Sequence, residues 1–173
     1  HTFIATAEVI SLIGAKPVFV DIDPRTYNLD PNLVERVISP RTHAIIPVHL
    51  YGQPAEIDAL LDLAHNHNLR VIEDAAHALG ARYAGMPIGS QSEFTMYSLQ
   101  AIKHLTTVDG GMLACRNPDD LPRGRRLRWF GMDRAASRTE VDVAEVGYKY
   151  HMNNIAAAIG LAFGMNLVKI SEA

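Results

Sequence analysis

The sequence has a single cysteine, Cys115, in 173 residues, which excludes an intramolecular disulfide and fits a reducing compartment. It has no apolar run near the roughly 20 residues that a bilayer-crossing helix needs. Its first residues, HTFIATAEVI, lack the basic stretch that opens a signal peptide. Together these point to a cytoplasmic location. An excess of positive charge is missing too: 16 Lys and Arg against 19 Asp and Glu leave a formal net charge of −3. Nothing therefore draws the chain as a whole to nucleic acid or to an anionic membrane, and small-molecule chemistry is the better expectation. Neither a GxGxxG run nor a phosphate-binding P-loop occurs, which argues against a simple nucleotide-binding domain. The histidines His43, His49, His65, His67 and His77 do not fall at metal-ligand spacing; His65 and His67, two apart on a helix, point different ways. Repeats and low-complexity segments are absent.

What is present is a hydrophobic content of 48%, enough for one sizeable core. The chain opens at His1, inside a turn entering a helix, and reads as a piece of a longer protein. Apolar residues at helical spacing between Ile4 and Ile13, stopped by Gly14, predict a helix. The β-branched run Lys16 to Asp21 predicts a buried strand. Asp30-Pro31 predicts the cap and first residue of a helix to Ile38. A strand at Ala44 to Val48, a helix at about Ala55 to His67 and a strand at Arg70 to Glu73 follow. Short strands are then expected at Glu93 to Ser98 and Gly111 to Arg116, with helices from Asn117 to about Trp129 and from Ile155 to Phe163, the last capped by Asn153 or Asn154. The polar stretch Asp133 to Glu145 reads as the linker. Helices alternating with short buried strands predict an α/β fold, a mostly parallel sheet with helices on both faces.

In such sheets ligands bind beyond the carboxyl ends of the strands, which singles out His49, Asp74 and Lys103. Asp74 ends the run RVIED and is followed by small apolar residues, so its carboxylate is expected to be partly buried and to need a partner. The plainer alternative is an N-cap for a helix at Ala75 to Leu79. Lys103 has no acid and no other strong base between Phe94 and Val108. An amine so placed is poorly hydrated, which favours its nucleophilic form. A solvated loop lysine is the alternative. The turn Val108-Asp109-Gly110-Gly111 after it suits a chain passing tightly by a ligand.

VIEDAAHALGA, then Ser98 five residues before Lys103, then DGGM, resemble the fold type I aminotransferases that use pyridoxal 5′-phosphate, and among them the nucleotide-sugar aminotransferases of the DegT/StrS type. TFIATAEVISLIGAKPVFVDIDP, PRTHAIIPVHLYGQPAEID and GYKYHMNNIAAAIGLA extend the resemblance in order along nearly the whole chain. It implies that residues 1–173 are the central part of the large, cofactor-binding domain, without the family's N-terminal phosphate-loop segment and C-terminal small domain. It implies transfer of an amino group, with glutamate as donor, to a keto group of a nucleotide-linked sugar, in a homodimer with a shared active site.

Residue by residue, the resemblance makes Lys103 the amine that carries the cofactor and shuttles a proton, and Asp74 the partner of the ring nitrogen. Ser98 becomes a donor to the phosphate, Phe3 the aromatic against the ring face, and His77 a neighbour of the 3-hydroxyl edge. His151 stands where many relatives have Asn or Arg reaching the cofactor phosphate from the other subunit. Ordinary alternatives stay open for each: a strand-end serine, a core phenylalanine, a packed histidine. A lysine at 103 also argues against the relatives that replace it with histidine and dehydrate their substrate. The cationic run holding Arg123, Arg125, Arg126, Arg128 and Arg134 reads as a solvated helix leading to a loop near the substrate's diphosphate, not as a nucleic-acid stripe. A regulatory relative that binds the cofactor without turnover is the rival reading.

Overall fold

A computed structural model describes residues 2–137, 139–143 and 145–171, and the chain divides into two units, His1–Arg116 and Asn117–Ala173. The first unit runs through α1 (Ala5–Leu12), α2 (Pro31–Val37), β1 (Ala44–Ile45), α3 (Ile57–Asn66) and β2 (Arg70–Asp74). A hairpin of β3 (Arg82–Tyr83) and β4 (Met86–Pro87) follows, then β5 (Phe94–Ser98) and β6 (Gly111–Cys115). The main sheet has the order β1-β2-β5-β6; β1 pairs parallel with β2 and β2 parallel with β5, while β6 closes the edge antiparallel to β5.

Helix α3 explains why the sheet holds. Ile57, Leu60 and Ala64 recur at helical spacing, are buried, and pack on Ile45, Leu69 and Val71. Burying side chains the size of Ile57 and Leu60 contributes about 1.5–3 kcal/mol each. Because strand side chains alternate, Val71 and Glu73 share the face that α3 covers, and Ile72 and Asp74 belong to the other. Helix α1 buries none of its residues but meets Asp74 through Thr6, so helices serve both faces as expected. Asp30 caps α2 by accepting the Asn32 N–H, with Pro31 in the first turn.

Three expectations and one alternative need correction. Lys16 to Asp21 forms no strand: no described strand pairs with it, and Val18 and Phe19 stay exposed, because an apolar run becomes a ladder only when a neighbour supplies hydrogen bonds. The division of the chain falls between Arg116 and Asn117, and Asp133 to Glu145 lies inside the second unit. Residues 75–80 form turns instead of a capped helix. The helix foreseen from Asn117 begins at Asp120, after a turn in which Asn117 accepts the Asp119 N–H. The β3–β4 hairpin was not foreseen; Ala84 and Gly85 turn it, both at positive φ.

The second unit contains α4 (Asp120–Leu127) and α5 (Asn154–Ser171), the latter capped by Asn153, whose Oδ1 accepts the Ala156 N–H. Trp129 bridges Lys149, and the Tyr148 N–H donates to the Leu127 carbonyl at 2.6 Å. Arg123 of α4 grips Glu145 through two guanidinium nitrogens. No helix among the described residues is long and apolar enough to cross a membrane.

Candidate active site

Asp74 ends β2 at the carboxyl edge of the sheet and is 6% exposed. Its backbone is held on both sides: its N–H donates to Pro47, its carbonyl accepts from His49, and its register partner on β5 is Met96. Its carboxylate is held as well. Oδ1 accepts the Ala76 N–H at 3.1 Å, and Oδ2 accepts the Thr6 hydroxyl at 2.6 Å. The capping alternative is thus half right, since Asp74 caps a turn with one oxygen while the other reaches a helix 68 residues away.

Lys103 sits half-buried in the turn that follows β5, its backbone N–H on the Gln100 carbonyl. Because β2 and β5 run parallel, their carboxyl ends carry Asp74 and Lys103 to the same edge. His77 senses both. Burial is the main reason its imidazole titrates below the usual histidine range, the Lys103 charge adds to the lowering, and Asp74 opposes it. The His77 Nδ1 accepts the Tyr51 N–H at 3.4 Å, so the neutral ring carries its proton on Nε2. The Tyr51 ring stacks on it at 5.7 Å and 2°. Tyr51 has φ +51. Strained backbone of this kind clusters at functional sites.

Ser98 closes β5, and its Oγ accepts the Gln100 N–H at 3.3 Å, leaving the hydroxyl proton free to donate elsewhere. Phe3 is 74% exposed just before α1, three residues from Thr6. In the second unit, His151 lies edge-on to Trp129 at 4.2 Å. Its buried Nδ1 has no hydrogen-bond partner among the described residues. Burial, then the charges of Arg134, Lys149 and Arg128, lower its titration. Arg134 lies over the Trp129 ring at 4.8 Å.

His49 belongs elsewhere. Its ring is fully buried; Nδ1 accepts the Ala55 N–H, which puts the ring proton on Nε2, 2.8 Å from Oε2 of Glu73. Thr95 donates to the other Glu73 oxygen. This is core construction, on the face opposite Asp74. Sequence reasoning missed Thr6, Tyr51 and the Glu73 partnership. For Tyr51 a signal existed in the following Gly52, whose φ of +85 and close approach to the His77 carbonyl mark a tight loop. For Thr6 there was none.

A cleft of about 500 Å³ opens between Arg25, Thr26 and Tyr27 on one side and Leu50, Tyr51 and Gln53 on the other. Asn28 joins its walls, donating to the Gln53 and Pro54 carbonyls and accepting from Leu50. The cleft reaches the candidate site only through Tyr51, and the polar groups converge around Asp74 instead. No cluster of three or more potential metal ligands occurs among the described residues.

Residues 1–172 match the model of the DegT/DnrJ/EryC1/StrS aminotransferase family. The chain belongs to that family. It is 47% identical over 161 residues to GDP-perosamine synthase of Caulobacter vibrioides, a match covering 93% of this chain and 43% of that protein. It is 42% identical over 178 residues to the UDP-4-amino-4-deoxy-L-arabinose–oxoglutarate aminotransferase of Shewanella sediminis, covering 99% of this chain and 46% of the relative. The crystal structure of AtS13 from Actinomadura melliaura superposes with a TM-score of 0.93 at 41% identity, over 97% of this chain and 47% of that one. The fold is therefore that of the family's solved members, and the chain spans less than half the length of these relatives.

Proposed function

We propose that the chain is the central part of the large domain of an enzyme that uses pyridoxal 5′-phosphate to move an amino group from glutamate onto a keto group of a nucleotide-linked sugar, working as a homodimer. The observation that carries this reading is that Asp74 and Lys103 follow the carboxyl ends of two paired parallel strands, at one edge of the sheet. The names of the two curated relatives, one a GDP-linked and one a UDP-linked sugar enzyme, support the substrate class. Oxoglutarate in the second name, the keto acid of glutamate, supports the donor.

The residues present fit the cofactor. The Asp74 carboxylate has two acceptor positions filled, by Thr6 and Ala76, and keeps lone pairs for a protonated ring nitrogen. The Ser98 hydroxyl retains a proton to donate to a phosphate. The orphaned Nδ1 of His151, amid Arg128, Arg134 and Lys149, suits an anion reached from the partner subunit. Phe3 offers an aromatic face, and neutral His77 offers Nε2–H to the 3-hydroxyl edge. When bound, the cofactor supplies an electron sink for charge developing at the carbon that bears the amino group. Asp74 holds the proton on the ring nitrogen. Lys103 would be the amine that holds the cofactor, and its amino group would take and return the proton at the substrate carbon.

The test uses the full-length protein. Borohydride should trap a covalent adduct that Lys103→Ala abolishes, and glutamate should shift the visible absorption of the bound cofactor. Asp74→Ala should cost turnover more than folding. Full transaminase activity in Lys103→Ala would refute the assignment, and an absorption unmoved by glutamate would favour a binder without turnover.

A further inference from the structure

We propose that Thr6 is a positioning residue for the Asp74 carboxylate, its hydroxyl selecting which oxygen lone pairs remain for the ring nitrogen of the cofactor. The inference rests on the assignment of Asp74 above and adds a residue that this assignment does not contain.

The geometry is specific. Thr6 is half-buried in the first turn of α1, and its Oγ1 donates to Oδ2 of Asp74 at 2.6 Å. An O–H donated to a carboxylate at that length is a charge-assisted bond, about twice as strong as a neutral one. Oδ1 is independently fixed by the Ala76 N–H at 3.1 Å. With one bond on each oxygen, rotation about the last side-chain torsion of Asp74 is arrested, a torsion that is otherwise broad. The partner's direction is arrested with it.

Helix α1 buries no side chain, and its longer apolar residues Val9 and Leu12 are exposed. Its described side-chain tie to the sheet is this one bond, so Thr6 is not placed by a hydrophobic face of its own helix. A threonine hydroxyl in the first turn of a helix ordinarily caps locally. Here it is spent on a carboxylate 68 residues away. Phe3 lies three residues earlier, just before the helix, so one short segment supplies both the Asp74 tether and the proposed ring-face aromatic.

The experiment compares Thr6→Val, which keeps the shape and removes the donor, with Thr6→Ser, which keeps the donor, in the full-length protein. Three quantities are measured: the dissociation constant of pyridoxal 5′-phosphate for the apoprotein, kcat and KM for the amino donor, and the apoprotein Tm. Loss of one hydrogen bond to a charged group should weaken cofactor binding about tenfold in Thr6→Val. It should lower kcat by a similar factor with little change in KM, and Thr6→Ser should restore both. Wild-type cofactor affinity and kcat in Thr6→Val overturn the proposal. So does a lowered apoprotein Tm with unchanged cofactor affinity of the folded protein, which would make the bond structural only. Asp74→Asn run in parallel separates the two layers. If it too leaves cofactor affinity and kcat intact, the Asp74 assignment fails; if it alone abolishes them, only the role of Thr6 does.

Discussion

The imidazole Nε2 of His49 stands 2.8 Å from Oε2 of Glu73, and neither side chain reaches solvent. The pair joins β2 to the segment after β1 on the face turned away from Asp74. Removing Glu73 leaves the buried imidazole N–H without an acceptor, which typically costs about 1–3 kcal/mol. Glu73→Ala should destabilise by that amount in urea denaturation, and a loss under about 1 kcal/mol would mean that the pair contributes little.

The same pair sets an acid limit. Burial pushes the Glu73 carboxyl up, but polar partners led by the His49 hydrogen bond outweigh it and hold the group below the usual carboxylate range. A depressed carboxylate contributes stability that is fully present above its unfolded pKa of about 4.3 and is lost as pH falls through the folded value. The stability gap between wild type and Glu73→Gln should therefore narrow as pH drops below that point. A gap that widens in acid contradicts the sign.

Charge around His77 can be read by NMR titration of the cofactor-free protein. Lys103 lowers the His77 titration and Asp74 raises it, on top of the larger effect of burial. Lys103→Met should move the midpoint up, and Asp74→Asn should move it down. Two variants that shift it the same way, or not at all, would place one of those charges elsewhere.

Two glycines should respond oppositely to a methyl group. A Cβ on Gly147 would collide with the Gly131 nitrogen and lie 2.7 Å from the Phe130 carbonyl carbon and 2.8 Å from the Leu127 oxygen, all backbone atoms. Gly147→Ala should cost about 1–3 kcal/mol, the usual range for overpacking. Gly124, inside α4, meets nothing within 4 Å, so Gly124→Ala should stabilise by about 0.5–1 kcal/mol by restricting the unfolded chain. Thermal denaturation of both variants decides the matter.

Much of the arrangement could be read one residue at a time. Asp30-Pro31 predicted the start of α2, and the spacing of Ile57, Leu60 and Ala64 predicted the buried face of α3. Asp74 and Lys103 could be singled out because each follows a segment that reads as a strand, whereas the parallel pairing of β2 with β5 across a hairpin is a feature of the fold. The Lys16 to Asp21 run misled for the converse reason: its composition suits a strand, but a strand is a property of two segments.

By itself the sequence determined the capped start of α2, the buried face of α3, which residues follow the ends of β2 and β5, and membership of the family, because caps, periodicity and motif spacing are carried by neighbours in the chain. Only the tertiary structure decided what adjacent, like-charged groups do. Glu73 and Asp74 part company because strand side chains alternate, one going to His49 in the core and the other to Thr6 across 68 residues. Contacts of that range depend on how whole elements pack, and no local pattern encodes them.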